Sequence, residues 1–418
     1  MVDLLNADLT TLTSYPSQYL GKLDAYRNRL RSYSFSIILV TDAPIDVATD
    51  IFTRINVRGK QLSVFEIMVA KTFDKERDFD LAERHDQLIQ ELDEIDYGTI
   101  PPAVVLQAVS AILAGDVRKK TILNLDRKSF IDVWPKVVDA LETAAEYFRN
   151  HYRIPVSNLL PYPALLIPFT HYFYHHPDRP PAQERDYLQD FFWRVVLTSR
   201  YSGPTETNIA QDIRRVEDIL KGKRPSYDHG VDISPEFVRN NGYFNAGRSF
   251  IKAVLCVLAY QEPKSFVDNS IVRVSNDWLK QANSRNYHHF FPKAFLAKQE
   301  THSYWLINHI ANITIVDDFL NKRQIRDKAP STYMAAFKAK NKQLGATMMT
   351  HLIDLDEGGV WDDDYDRFLA MRCQLISEEL KRRILPIDLD RAGTVSLPDD
   401  DDSESLAAAG GDVEESSN

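Results

Sequence analysis

The stretch Phe130-Ile131-Asp132-Val133-Trp134-Pro135-Lys136-Val137-Val138-Asp139-Ala140-Leu141-Glu142-Thr143-Ala144-Ala145-Glu146-Tyr147-Phe148 sets the fold class. Its apolar residues, Phe130, Val133, Trp134, Val137, Val138, Leu141, Ala144, Ala145 and Phe148, recur at three- and four-residue intervals. That period lines them along one side of an α-helix and turns the charged residues between them outward. Pro135 has no N–H to give, so it belongs in the first turn or marks a kink.

The same period continues on either side. Tyr187, Leu188, Phe191, Phe192, Val195 and Val196 form a second amphipathic helix, and Phe250 to Tyr260 a buried one. Ser63 and Glu66 are spaced as a capping box for a helix from Val64 to Phe73. Earlier, Ser34-Phe35-Ser36-Ile37-Ile38-Leu39-Val40 has strand composition, followed by a helix from about Ile45 to Ile55. The turn residues of Asn56-Val57-Arg58-Gly59-Lys60 predict a loop. The expected class is mainly α with a small α+β part.

A chain of 418 residues favours two or three domains. Lys221-Gly222-Lys223-Arg224-Pro225 reads as a linker. The expected division is 1–75, a short first region; 76–225, a helical middle region; 226–385, a second domain; and 386–418, a disordered acidic tail. The formal charge of −10 belongs largely to that tail. Asp399, Asp400, Asp401, Asp402, Glu404, Asp412, Glu414 and Glu415 stand within 399–418 without a Lys or Arg, and the remainder is near −2. Cys256, in an apolar run, and Cys373, in a helical pattern, supply neither a disulfide framework nor a thiolate cage. They fit a reducing cytosol. No signal peptide and no membrane-spanning apolar run is present, so a soluble cytoplasmic protein without membrane partners is expected.

Residues 285–342 differ from the rest in charge. Ten Lys or Arg (Arg285, Lys293, Lys298, Lys322, Arg323, Arg326, Lys328, Lys338, Lys340 and Lys342) face only Glu300, Asp317, Asp318 and Asp327, an excess of +6. Such an excess suits a phosphate-binding face, although a solvated helix face has the same composition. Within it lies Asn286-Tyr287-His288-His289-Phe290-Phe291-Pro292-Lys293, then Ile310-Ala311-Asn312-Ile313-Thr314-Ile315-Val316, then Phe319-Leu320-Asn321-Lys322-Arg323. Adjacent histidines on a strand point to opposite faces, so one can hold a metal while its neighbour meets a water. An imidazole near neutral pH can take a proton from that water.

This order resembles the HNH, or ββα-metal, nuclease motif. The resemblance implies His288 and Asn321 as metal ligands, His289 as general base and Asn312 as the asparagine that orients it. Lys293, Lys322, Arg323 and Lys328 would contact DNA phosphates. The implied cofactor is a divalent metal, Mg²⁺ first; an imidazole ligand adds Mn²⁺ or Zn²⁺. The implied products are a 5′-phosphate and a 3′-hydroxyl.

Ile51-Phe52-Thr53-Arg54-Ile55-Asn56-Val57-Arg58-Gly59-Lys60-Gln61-Leu62-Ser63 resembles a stretch of GmrSD-like restriction proteins, which join an N-terminal ParB-like nucleotide-using domain to a C-terminal HNH domain. The resemblance implies defence against foreign or modified DNA. Arg54, Asn56, Arg58 and Gly59 could touch a nucleotide or DNA, or simply shape the turn. The family's Asp-Gly-Gln-Gln-Arg motif has no match upstream of Ile51. The expectation is therefore a truncated ParB-like part without its own nucleotide use, or one completed by a partner chain. The competing expectations are a non-catalytic nucleic-acid-binding or regulatory member of a restriction complex, and an RNA-cleaving toxin. His171, His175 and His176 have helical spacing for a metal pair, but a surface or packing role is expected; His302 and His309 lie near the motif and could contact phosphate, with simple packing the expected role.

Overall fold

The computed structural model describes residues 17–34, 47, 62–274, 288–316, 325 and 327–391. The chain divides into two compact units between Gln61 and Leu62. In the first, helix α1 (Ser17–Arg31) is polar and exposes Tyr19 and Tyr26. Apart from Ser34 and Val47, the strand, helix and loop expected over 34–60, with Arg54, Asn56, Arg58 and Gly59, lie outside the described residues.

The second unit is mainly helical, as the periodicity demands. Helix α2 (Val64–Thr72) starts at the capping box read from sequence. Ser63 Oγ accepts from Glu66 N at 3.2 Å, and the Glu66 carboxylate accepts from Ser63 N at 2.7 Å. Helix α3 (Leu81–Asp93) is capped by Asp80. Helix α4 (Pro102–Ala114) opens with proline and ends at Gly115, whose φ of 61° suits a residue without Cβ. After the short α5 (Lys119–Leu123), Asp126 caps α6 (Arg127–Asn150). Phe130, Trp134, Val137, Leu141, Ala144, Ala145 and Phe148 are its buried stripe, as spaced in the sequence. Pro135 is not in the first turn but inside the helix, which runs through it. The missing N–H is tolerated because tertiary burial, not the local ladder, holds this helix.

Helix α7 (Leu166–His175) is the centre of this bundle. Every residue from Leu166 to Phe173 is buried, and it packs on α6, α4 and α9 (Thr205–Leu220). Pro168 falls in its first turn, where a missing donor costs little. Helix α8 (Ala182–Leu197) packs on α11 (Ser249–Tyr260), which also meets α16 (Tyr365–Lys381); α10 (Pro235–Asn241) lies on α16. Helices on both sides of residue 225 contribute to one core cluster. Lys221-Gly222-Lys223 closes α9 with a left-handed glycine, and Arg224 donates to Leu385 O and Pro386 O. Cys256 on α11 and Cys373 on α16 are both buried and reduced, and burial pushes each thiol up to about 12. No helix among the described residues is long and apolar enough to cross a membrane.

Residues 386–391, assigned to the tail by composition, are instead folded. Arg194 is 2% exposed and lies between Asp190 (2.9 Å) and Asp390, which it grips with two nitrogens at 2.9 and 2.8 Å. It also donates to Leu385 O, while Asp390 accepts from Val231 N and Ile387 N. Composition misses this because one buried guanidinium, 196 residues away in sequence, decides the matter. Residues 392–418 lie outside the described ones.

Asp390→Ala leaves that guanidinium with half its carboxylate partners. The expected result is a loss of ~3–5 kcal/mol in urea unfolding, at an unchanged dependence on denaturant. A loss under roughly 0.5 kcal/mol would show that the C-terminal turn is not anchored there.

Candidate active site

The expected histidine pair lies on strand β1 (His288–His289), antiparallel to β2 (Ile313–Thr314). His288 faces Thr314 and His289 faces Ile313. The ribbon is shorter than the apolar run Ile310–Val316 suggests, because Ile310–Asn312 forms a 3-10 turn. Phe290 and Phe291 follow the pair and are fully buried: Phe290 stacks on Phe368 at 5.0 Å, and Phe291 meets Tyr365 at 5.2 Å. Tyr333 on α14 (Pro330–Lys338), the helix before α15 (Leu344–Met349), donates to Phe290 O at 2.5 Å. Two aromatic anchors thus end the strand and seat it on α16. Pro292 then precedes α12 (Lys293–Gln299).

Asn312 is fully buried and is the clamp of this ribbon. Its Oδ1 accepts from Phe291 N at 2.9 Å, and its Nδ2 donates to Phe291 O at 3.0 Å and to Ile307 O at 3.1 Å. Its own carbonyl accepts from Phe290 N. The sequence expectation had this amide orienting the His289 ring; the side chain instead holds the main chain two residues beyond it. The ring is met by a residue the sequence reading passed over. His289 Nε2 lies 3.0 Å from Asn308 Oδ1. Asn308 ends helix α13 (Tyr304–Ile307), and the only trace in sequence is one amide interrupting Trp305-Leu306-Ile307 before His309.

The two histidines face opposite ways, as alternation requires. His289 is partly exposed, whereas His288 is 2% exposed, with the rings of Phe266 and Tyr333 around it. Burial, helped by His289, His351 and Arg372, lowers His288 to about 3, so the ring is neutral. Thr314 Oγ1 donates to His288 O, so it accepts the proton of His288 Nδ1 at 2.7 Å. That assigns the lone pair to Nε2, which has no hydrogen-bond partner among the described residues. An imidazole fixed through one nitrogen and open at the other has the donor chemistry of a metal ligand. Its expected companion, Asn321, lies outside the described residues, as do Lys322 and Arg323. No group of three His, Cys, Asp or Glu able to hold a metal occurs among the described residues.

Other histidines meet main-chain, carboxylate or ring partners. His309 accepts from Ala311 N at Nδ1 and donates its one N–H, at Nε2, to Arg239 O, and a Cβ at Gly242 would stand 1.9 Å from its ring. His351 meets Lys264 O at 2.8 Å. Burial lowers each to about 4. His302 lies 3.3 Å from Asp366, and the buried His171 lies against His175 with Glu217 at 3.9 Å. Arg372, fully buried on α16, donates to Ala311 O at 2.7 Å and His351 O at 3.0 Å; burial pulls it down to about 9, still charged at neutral pH. Of the expected phosphate contacts, Lys293 begins α12, half-buried beside Tyr304, and burial lowers its pKa; Lys328 is exposed. Lys298 is paired with Asp327 at 2.9 Å, and Lys338 lies over Trp361.

No protein-family model matches the chain. It is 23% identical over 399 residues to a protein of Methanocaldococcus jannaschii that is described only as uncharacterized. The match covers 85% of this chain and 65% of that protein, so the chain spans less than two thirds of the length of this curated relative.

Asn312→Ala strands three buried main-chain groups, and the expected cost is ~3–5 kcal/mol in chemical denaturation; a cost below about 1 kcal/mol contradicts the clamp. Stability also depends on pH with a definite sign. His171, His288, His309 and His351 titrate at about 3 to 4 when folded against 6.5 for an unburied imidazole. The unfolded chain therefore binds more protons in that window. Stability is full above about pH 6.5 and falls towards about pH 4, each ring adding a slope of up to ~1.4 kcal/mol per pH unit. Urea midpoints that stay flat across this range would contradict the burial of these rings as neutral groups.

Proposed function

We propose that this chain is an HNH-type, metal-dependent endonuclease acting on DNA, in a protein of GmrSD-like organisation that serves defence against foreign or modified DNA. One observation carries the reading: the Asn312-clamped ribbon that buries His288 and leaves His289 on its partly exposed face, inside the most basic segment of the chain.

In this reading the exposed face of the ribbon receives a backbone phosphodiester, with Lys293 and Lys328 supplying positive charge near it. His289 takes a proton from water as the water oxygen bonds to phosphorus. The P–O3′ bond breaks, and the departing 3′ oxygen takes a proton, giving a 5′-phosphate and a 3′-hydroxyl. Asn312 keeps the base in place by fixing Phe290 and Phe291 behind it. By the resemblance His288 Nε2 and Asn321 would hold a divalent cation, which supplies positive charge when bound; His288 is buried on the face of the ribbon away from His289.

A second reading rests on the burial of His288. A chain that keeps the basic segment but has no accessible ligand set is a non-catalytic nucleic-acid binder, or the regulatory member of a complex.

Nicking of supercoiled plasmid with Mg²⁺, Mn²⁺ or Zn²⁺ separates the two. The wild-type chain is expected to nick, and His289→Ala to nick at least ~100-fold more slowly with a similar affinity for DNA. Binding without cutting under any of these ions supports the second reading. Faster cutting of a matched RNA at the same salt moves the substrate from DNA to RNA.

A further inference from the structure

Asn308 is held from two directions before it meets His289. Its carbonyl accepts from Phe244 N at 2.8 Å, and its Nδ2 donates to Phe244 O at 3.2 Å. Its own N–H goes to Tyr304 O, closing the last turn of α13. The residue is 7% exposed. Flipping the amide would turn its oxygen onto the Phe244 carbonyl, acceptor against acceptor, so the fold fixes which end faces the histidine. The end that faces it is Oδ1, an acceptor with no proton to give.

An acceptor 3.0 Å from His289 Nε2 requires a proton on Nε2. In the neutral ring the lone pair is then on Nδ1. We infer that Asn308 is the positioning residue of the site: it holds His289 as the Nε2–H tautomer and makes Nδ1 the atom that accepts a proton. The arrangement mirrors that of the neighbouring ring. Thr314 takes the Nδ1 proton of His288 and leaves Nε2 as the donor atom there. The fold thus sets two adjacent histidines in opposite tautomers, one through a strand hydroxyl and one through a helix-end amide.

The inference rests on the hydrolytic reading for its catalytic meaning, but the tautomer can be measured without it. Full-length protein labelled with ¹⁵N in histidine gives the tautomer of each ring from its nitrogen shifts, with His289 assigned through His289→Gln. The expected wild-type pattern is a protonated Nε2 and an unprotonated Nδ1 at His289. Asn308→Leu is expected to give a mixture of tautomers and a kcat for nicking lower by roughly 10-fold or more, with KM for DNA nearly unchanged. Asn308→Asp, which keeps an acceptor, should restore the wild-type tautomer and much of the rate. A protonated Nδ1 in wild-type protein overturns the inference, and so does an unchanged tautomer in Asn308→Leu. Should Asn308→Leu fail to fold, the wild-type spectrum and the Asp variant still decide. A correct tautomer in a chain that cuts nothing sinks the hydrolytic reading and leaves the role of Asn308 in orienting the ring intact.

Discussion

The amide of Asn312 meets three main-chain groups at a point closed to solvent, and the candidate site is built around that meeting. Two strands of two residues each cannot sustain themselves, since a ribbon so short has few ladder bonds to set against the entropy of ordering it. What holds this one is side-chain chemistry. Asn312 supplies donor and acceptor together to Phe291, the Tyr333 hydroxyl takes up Phe290 O, and two aromatic rings seat on Phe368 and Tyr365. The histidines inherit their positions from these contacts. They are placed by the residues that follow them more than by any bond of their own.

Much of the helical architecture is legible in sequence because it follows one rule, burial of an apolar stripe. The spacing from Phe130 to Phe148 is the buried face of α6, and Ser63 with Glu66 marks the start of α2. What the sequence does not disclose are long-range polar pairings. Nothing near Asp390 announces Arg194, and nothing near Asn308 announces His289. Period and composition report what a residue does to its own element. An acceptor that arrives from a distant helix end leaves no local pattern. The histidine pair and Asn312 were visible for the opposite reason, since their order along the chain resembles a known motif. The partners of Asn312 were not, because an asparagine has the same letter whether it holds a ring or a backbone.

The basic side chains of this part of the chain differ in burial. Lys328 is exposed and Lys293 half-buried, while Arg372 carries its charge in the interior, held by the carbonyls of Ala311 and His351. Its Nε has no hydrogen-bond partner among the described residues. A cation so placed weighs against a second positive charge nearby, which helps to keep His288, His309 and His351 neutral. Neutral rings with fixed tautomers are structural members that also carry a defined lone pair. These imidazoles therefore stay uncharged at pH values where an exposed histidine would be partly protonated.

The two thiols give the molecule a clock of its own. Cys256 and Cys373 sit on packed helices α11 and α16, each shut away from solvent, and Cys256 Sγ also contacts Leu159 O at 3.4 Å. Alkylating reagents attack the thiolate, which is scarce at both positions and walled off besides. Reaction must wait for the packing around each thiol to open, so its rate in native buffer counts those openings. Because the two sulfurs lie on different helices of one core, simultaneous or staggered labelling reveals whether that core opens as a unit or helix by helix, with no probe introduced.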